Sequence, residues 1–562
     1  MKRSVIILLA AAAALAALPS QAQQAGSLQF GGAVLNRDIQ MPADLAQLSQ
    51  THAFGTARAM GMGGAFVSLG ADLTSMTLNP AGLGMYRRNE ITLTPLVSLS
   101  SASTGGTSEW LDNSRSRFSL ANLGVALNLY ENPKRGLVSL TLGIGVNRVA
   151  DFNTRYSFSS ESRYDSGTGQ LMPTIADIFG QQLGQAGIWP AANGSLGYNA
   201  DPAFWPAILG YNGYMLNVEN NGREDLWVPS YIGHNASVGH SMDVVHSGSI
   251  NEFSLSVGGN IDNVVYFGAS LGVQSVRRTS RVTYQEEYLY PGSDGVALDR
   301  DGRPLEAQLD YASLQQRQTL SGAGVNFKLG VTVRPVAGLR LGAAFHTPTY
   351  YSLSQLYRGD IETYGRNNTT HEGQESFDST PVQRDEGSSS WNFTSPARLL
   401  LGASYTFGRF AIVSVDYERA WYNGMRVKNL PDVGMSRDFY KADFKRNFCA
   451  TNTLRAGIEV RPVPFVALRA GAGYTGSMFR DREAQINSPA VYETRYFTAG
   501  AGVNLSRTTT LDVAYQWVDQ KQTSYELFFS YDPDAEAMFT HSGLYDTSIV
   551  RHYIALSLAF RF

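Results

Sequence analysis

The last ten residues constrain this chain more than any other stretch. Ile554, Leu556, Leu558, Phe560 and Phe562 alternate without a break with Tyr553, Ala555, Ser557, Ala559 and Arg561. Period two puts one set on each face of a β-strand. The pattern recurs in Val466, Leu468, Ala470, Ala472 and Tyr474, in Leu511, Val513, Tyr515 and Trp517, and in Val325, Phe327, Leu329, Val331 and Val333. The opposite faces carry Lys328, Arg340, Arg455, Glu459, Arg469 and Asp512 among many glycines. A water-soluble sandwich would bury its apolar face against a second sheet. A closed barrel in lipid instead turns that face outward and keeps charge and glycine in a polar lumen. Recurrence along the whole chain, an aromatic last residue, and aromatics at strand ends (Tyr405, Tyr474, Tyr515, Trp517) favour the barrel.

Composition agrees. Aromatics make up 11% of the 562 residues and charged residues only 17%, with 56 glycines. A net charge of −3 offers no basic face for nucleic acid. The single cysteine, Cys449, rules out an intramolecular disulfide framework. Lys2 and Arg3, the apolar run Val5 to Leu18, Pro19 and the small-residue exit at Ser20-Gln21-Ala22 read as a secretory signal peptide over residues 1–22. The run is shorter than the ~20 residues a spanning helix needs.

Strands are expected at approximately 89–101, 115–130, 136–153, 246–261, 263–285, 312–334, 339–355, 388–407, 409–426, 450–461, 465–477, 492–505, 509–527 and 548–562. This predicts an all-β, 14-stranded antiparallel transmembrane barrel over 89–562, in the outer membrane of a Gram-negative bacterium. Short turns at 131–135, around Asp262, at 335–338, at Gly408, at 462–464 and at 506–507 would face the periplasm, with both chain ends on that side. Pro95, Pro348 and Pro396 each remove a backbone donor, which in lipid demands local compensation.

Residues 23–88 lack strand periodicity. Gly61-Met62-Gly63-Gly64 does not have the spacing of a nucleotide-binding loop, and no Lys-Ser/Thr follows it. A small-residue segment ahead of a mixed-charge lumen suits a plug folded inside it. Phe54-Gly55-Thr56-Ala57-Arg58-Ala59-Met60-Gly61-Met62-Gly63-Gly64-Ala65-Phe66, followed by Asn79-Pro80-Ala81-Gly82-Leu83, resembles the opening of the FadL/TodX family. These are outer-membrane transport proteins for long-chain fatty acids and other hydrophobic compounds. The stretches 145–153, 339–348 and 395–405 are similar to the family's strands. The resemblance runs from about residue 50 to the end. It implies an N-terminal hatch and lateral release through a kinked third strand. The gate would then involve Asn79, Pro80 and Ala81 against Gly143, Gly145 and Asn147, with Asn79 or its neighbours hydrogen-bonding the wall there. The very long connection 154–245 departs from the pattern, so ligand identity does not carry over.

That connection is expected to hold short helices. Leu171, Ile175, Ile178, Phe179 and Leu183 recur at helical spacing, and Phe204, Trp205, Ile208 and Leu209 form a second apolar cluster. Two readings stand: a lid core, or a hydrophobic capture groove in which Ile175, Ile178, Phe179, Phe204, Trp205, Ile208 and Leu209 bind ligand. The inward glycines Gly143 and Gly145 either make room for a plug or mark a strand distortion.

The leading expectation is passive uptake of hydrophobic small molecules, released sideways into the bilayer. The expected partners are that ligand, outer-membrane lipid, and the barrel assembly machinery through the strand ending at Phe562. A haem receptor using His234, His240, His246, His371 and His541 in outer loops is an alternative, as is a structural or adhesin barrel displaying Arg358-Gly359-Asp360. Asp299-Arg300-Asp301-Gly302 lacks the further ligands of a calcium loop. No catalytic motif, metal site or cofactor is expected.

Overall fold

The alternating sequence is realised as a wall of fourteen antiparallel strands that closes on itself. The computed structural model describes residues 28–35, 41–105, 111–132, 136–160, 173–198, 202–220, 225–291, 295–299, 301–367, 370–378, 388–430, 436–481, 489–532, 534–535 and 537–562. The wall comprises β1 (Glu90–Gly105), β2 (Leu111–Glu131), β3 (Leu137–Asp151, continued by Thr154–Ser160), β4 (Ser237–Ile261), β5 (Val265–Leu289), β6 (Ala307–Val336) and β7 (Leu339–His346, continued by Tyr350–Asn367). It continues through β8 (Ser388–Thr394 and Arg398–Phe407), β9 (Ala411–Trp421), β10 (Ala450–Val463), β11 (Val466–Thr475), β12 (Val491–Asn504), β13 (Thr509–Gln522) and β14 (Leu544–Arg561). Closure is made by β1 on β14, with Glu90 opposite Arg561 and Gly105 opposite Asp546. A closed sheet leaves no backbone edge to the lipid, which a spanning sheet requires.

The two faces fall as the period demands. Ile554, Leu556, Leu558, Phe560, Phe327, Leu329, Leu468 and Val513 are exposed on the outside. Lys328, Arg455, Glu459, Arg469, Asp512, Ser557 and Tyr553 are buried on the inside. This outward belt is the surface lipid would cover. Among the described residues no helix is long and apolar enough to cross a membrane. The short turns around Asp262 and at 335–338, Gly408, 462–464 and 506–507 lie where expected, while 133–135 of the one at 131–135 lie outside the described residues. In the turn between β4 and β5, Asp262 and Asn263 both have positive φ, 53° and 58°, the signature of a type I′ hairpin.

The three prolines sit at irregularities that absorb their missing donors. Pro95 borders a register shift against β2. Pro348 and Pro396 lie in the breaks of β7 and β8, where Ser395 N donates to Thr349 O and Thr349 N donates to Ser395 Oγ (2.9 Å).

Several strands extend further at the long-loop end than the apolar pattern suggests. β4, β5 and β6 are 25, 25 and 30 residues long, because polar residues keep pairing beyond the belt. This moves three groups assigned to loops. His240 and His246 stand inside β4, where His240 is buried with its Nδ1 2.7 Å from the Tyr284 hydroxyl. His371 lies in the strand Thr370–Asp378. Arg358-Gly359-Asp360 is part of β7, paired on both sides, with its Arg and Asp 3.3 Å apart. Among the described residues no three His, Cys, Asp or Glu gather as metal ligands. Asp299 organises a turn instead, its Oδ1 accepting from Asp301 N (2.9 Å) and Arg303 N (2.7 Å).

The N-terminal part also departs from expectation. Leu28 N donates to Gln185 Oε1 (2.6 Å) and Gln185 Nε2 donates to Leu28 O (2.9 Å). Gln185 belongs to α3 (Ile175–Ala186) of the long connection, so residues 28–35 sit at the long-loop end. The chain then runs down the lumen through α1 (Pro42–Leu48) and α2 (Ala57–Gly61) to enter β1 at the short-turn end. Only the C-terminal end of the described chain lies on that side, with Phe562 N donating to Asn89 O (3.1 Å). The predicted signal peptide, residues 1–22, lies outside the described residues, as does Leu171.

Candidate functional site: a lumen segment beside a broken wall

Residues 49–86 bond to inward groups around most of the circumference. Thr56 caps α2 and, with Asp72, ties two turns together, Thr56 Oγ1 donating to Asp72 Oδ2 at 2.8 Å. Ala57 N donates to Ser557 Oγ of β14 (2.7 Å), and Val67 N donates to Asp416 Oδ2 of β9 (2.8 Å). Tyr496 and Thr498 of β12 donate to Gly63 O and Gly61 O at 2.9 and 3.0 Å. Arg58 meets Glu459 at 3.2 Å, and Glu459 also holds Arg469 (2.7 Å), which in turn pairs with Asp512 (2.6 Å). Arg398 of β7's neighbour β8 donates to Ser49 O and, at 3.1 Å, to Thr51 Oγ1. The charges of Arg58, Glu459, Arg469 and Asp512 are tolerated in the lumen because they are paired and hydrogen-bonded to one another.

The glycines allow this close fit. A Cβ on Gly268 would collide with the Pro80 backbone, and one on Gly471 with Gly63 N. Gly143 and Gly145 serve the same purpose: a Cβ there would lie 2.8 Å from Met76 Sδ and 2.7 Å from Met76 Cε. The stretch Gly143–Asn147 is regularly paired with both β2 and β4, so it is not the distorted part of the third strand. Gly143→Val with Gly145→Val is therefore expected to overpack against Met76 and Leu83 and dislodge residues 70–86, not to straighten the wall. Overpacking costs about 1–3 kcal/mol. Faster proteolysis within 70–86, with the barrel still folded, is the expected result.

The wall breaks a few residues later. Beyond Asn122 and Asn147 the β2–β3 ladder ends: Leu111–Leu120 pair only with β1, and Arg148–Ser160 only with β4. Register shifts between Arg148 and Ala150, and pairing lapses at Phe152 and Asn153. The outer part of β3 then turns into the lumen. Tyr156 and Phe158 are buried, Phe158 lying 4.4 Å from the Tyr545 ring of β14. Arg551 of β14 supports the crossing, donating to Asp151 O (3.1 Å), Asn153 O (3.3 Å) and Thr154 Oγ1 (2.6 Å). Side chains span the unpaired seam: Arg148 Nε donates to Leu120 O (3.2 Å), Arg117 to Asn153 Oδ1 (2.7 Å) and Asn113 to Ser157 Oγ (2.6 Å). Phe118, 73% exposed, stands at the margin.

Asn79 is not near this seam. Its Nδ2 donates to Val67 O (2.7 Å), and to Val331 O and Thr332 Oγ1 of β6 (both 3.2 Å), while its Oδ1 accepts from Ala81 N. Pro80 and Ala81 follow it, buried, against Gly268 of β5. Asn147 is bonded to Asn122 of β2. The residue that meets the irregular strand is His52: its N donates to Val149 O (3.0 Å), and its Nδ1 accepts from Asp151 N (3.3 Å). Sequence reasoning missed His52 and Arg551. A signal was present: the period that turns Leu142, Ile144 and Val146 outward would put Arg148 in lipid, where a charge is costly.

Beside the seam lies a lumen cavity of about 100 Å3, lined by His52, Arg148, Lys328, Tyr351, Arg398 and Glu418 among others. Lys328 pairs with Glu252, and Glu418 with Arg398 and Arg455 (both 2.5 Å). A second cavity of about 110 Å3 lies between residues 32–35 and the inner wall at Tyr156, Arg278 and Gln316.

The predicted ligand-binding residues pack into one buried apolar cluster. Ile175, Ile178 and Phe179 of α3, and Trp205, Ile208 and Leu209 of α4 (Trp205–Asn212), are buried together with Tyr284, Tyr357 and Ile361 of the extended wall; Phe204 is half-buried against them. Glu286 of β5 anchors the N-terminus of α3, accepting from Ile175 N (2.7 Å), Thr174 Oγ1 (2.5 Å) and the hydroxyls of Tyr284 and Tyr288 (both 2.7 Å). A further helix, α5 (Arg437–Asn447), packs Tyr440 and Phe444 near Leu45 and Leu48 of α1. Burial pushes its Asp443 carboxyl up to about 6.

No protein-family model matches the chain, and no curated protein does. Among solved structures, it is similar to a Pseudomonas aeruginosa FadL homologue, with a TM-score of 0.51 and 11% identity over 92% of this chain and 100% of that one. The Pseudomonas putida toluene transporter TodX gives a TM-score of 0.48 at 14% identity over 92% and 99%. The Ralstonia pickettii toluene transporter TbuX gives 0.42 at 12% over 90% and 98%. With its closed wall, its outward apolar belt and its likeness to the FadL homologue, the chain is a fourteen-stranded β-barrel with the fold of that homologue.

Proposed function

We propose that this barrel carries hydrophobic small molecules passively across the outer membrane of a Gram-negative bacterium. The substrate class is long-chain fatty acids, aromatic hydrocarbons or similar compounds, and release is sideways into the bilayer. One observation carries the reading: the lumen is filled by the N-terminal segment, while the wall is unpaired between β2 and β3 beside a lumen cavity. A plugged lumen suits a solute that leaves through the wall better than one that travels in water. An unpaired seam at belt level is otherwise expensive, because lipid satisfies no backbone group. In this reading residues 49–86 are the hatch, and the long connections face outward.

The route has three stages: partition into the outer lid, passage to the lumen cavity, and exit through the seam. Nothing in it requires an energy source, since an apolar solute falls in free energy as it enters the bilayer. Uptake of labelled fatty acid and labelled aromatic hydrocarbon by a deletion strain and its complemented parent tests this. The expected result is faster uptake in the complemented strain for at least one of the two. Equal rates for both would overturn it.

A further inference from the structure

Residues 28–35 have no part in the hatch or in the seam, yet they are bonded more fully than a trailing end needs. Gln29–Gly31 pairs with Phe529–Tyr531, which pairs onward with Ala537–His541, giving a three-stranded sheet separate from the wall. Ala33 N and Val34 N donate to Glu526 O and Leu527 O (both 2.9 Å), and Gln316 Nε2 of β6 donates to Val34 O (2.7 Å). Leu28 exchanges two hydrogen bonds with Gln185 of α3 in the lid. Val34 is buried in the lid's own apolar cluster, with Phe30 and Leu35 packed against it. The other side of residues 32–35 faces the upper lumen cavity, which Met41 and Asp44 of α1 also line.

This short stretch therefore touches the lid above, the last long loop beside it and the wall opposite, and it stands where a solute leaving the lid would enter the lumen. We propose that residues 28–35 are a strap that fastens the outer lid, and that it must detach for ligand to pass from the lid to the lumen. The proposal rests on the transport reading for its ligand, although the fastening role stands without it. The energetics favour this element as the part that opens. The strap is held by a three-pair ladder in a small isolated sheet, whereas β4 and β5 share 25 paired residues. Small isolated sheets are marginal, and local opening starts at the least stable unit.

The test uses the full-length barrel in two opposite variants. Phe30 and Ser530 are ladder partners. Antiparallel partners stand about 4.5–5.5 Å apart, within disulfide reach. Phe30→Cys with Ser530→Cys, in a Cys449→Ser background, locks the strap when oxidised. Gly32→Val loosens it locally: Gly32 has φ +128°, and a Cβ there would strike the Leu527–Phe528 backbone of the last long loop. Two readouts are taken, uptake of labelled fatty acid and hydrocarbon, and amide exchange in α3 and α4. The locked form should lose uptake and regain it with reductant. Gly32→Val should speed exchange in the lid helices about tenfold, as for a coupling within the usual range. Uptake by the locked form equal to its reduced form would overturn the gating role, and unchanged lid exchange in Gly32→Val would overturn the fastening role. If the parent protein carries neither probe, the transport reading fails, and the exchange result alone decides the strap.

Discussion

Arg551→Met is expected to cut uptake of a hydrophobic probe about tenfold while leaving the barrel assembled. Arg551 is 8% exposed and gives Asp151 O and Asn153 O hydrogen bonds that the interrupted ladder does not supply. It is itself held by Gln520 Oε1 of β13 at 3.0 Å. Methionine has similar bulk but no donor. Each buried carbonyl left without a partner costs about 1–3 kcal/mol, so the inward crossing of β3 loses its main support. The unpaired edge of β2 from Leu111 to Leu120 offers those carbonyls an alternative partner. Re-pairing with that edge would close the seam. Hydrogen exchange checks the step directly: amides 111–120 should become protected in Arg551→Met. Arg551→Lys should fall between, because one ammonium cannot match a planar guanidinium on three acceptors. Normal uptake together with unprotected 111–120 amides would sink the lateral route through this seam.

The contrast between the wall and the seam explains what the sequence could reveal. Period-two alternation is a local signal, and its cause is general: one face meets lipid and the other a polar lumen. That is why the strand set, the short turns and the inward charges Lys328, Arg455, Glu459, Arg469 and Asp512 were all legible. The belt pattern fails where strands leave the belt. β4 and β7 continue past it by ladder pairing alone, so His240, His246 and Arg358-Gly359-Asp360 read as loop residues. The seam was harder still. It depends on His52 meeting Val149 and Asp151, and on Arg551 meeting Asp151 and Asn153, contacts between residues roughly 100 and 400 positions apart. No periodicity records such pairs. The family resemblance placed Asn79 at the gate; the Asn-Pro turn is real, but its wall partner is β6. The apolar clusters of the long connection were legible as helices that pack on each other, whereas their further packing against Tyr284, Tyr357 and Ile361 followed from the extended wall around them.

The second large effect is expected at the lower lumen. Glu459→Gln should release Arg58 and open an ionic leak that the parent barrel lacks. The Glu459 carboxylate is fully buried and serves Arg58 (3.2 Å), Arg461 (2.8 Å) and Arg469 (2.7 Å) at once. Arg469 keeps Asp512 after the change, and Arg461 is 44% exposed to solvent. Arg58 is the cation left worst off, and it belongs to α2 of the lumen segment, while Glu459 belongs to the wall. Removing one partner of a buried pair costs about 3–5 kcal/mol, chiefly from the charge left behind. That cost falls on the contact between segment and wall, and moving the segment toward water relieves it. The wall has no comparable reason to fail, since its ladders and its outward belt are unchanged. Single-barrel recordings in planar lipid bilayers should then show ion conductance in Glu459→Gln and a closed parent. Asp512→Asn serves as the control: Arg469 retains Glu459 there, so conductance should stay near the parent's. A closed Glu459→Gln barrel would mean that the many backbone bonds from Tyr496, Thr498, Ser557 and Asp416 hold the lumen segment without Arg58. The ion-pair network would then neutralise lumen charge and leave retention of that segment to those bonds.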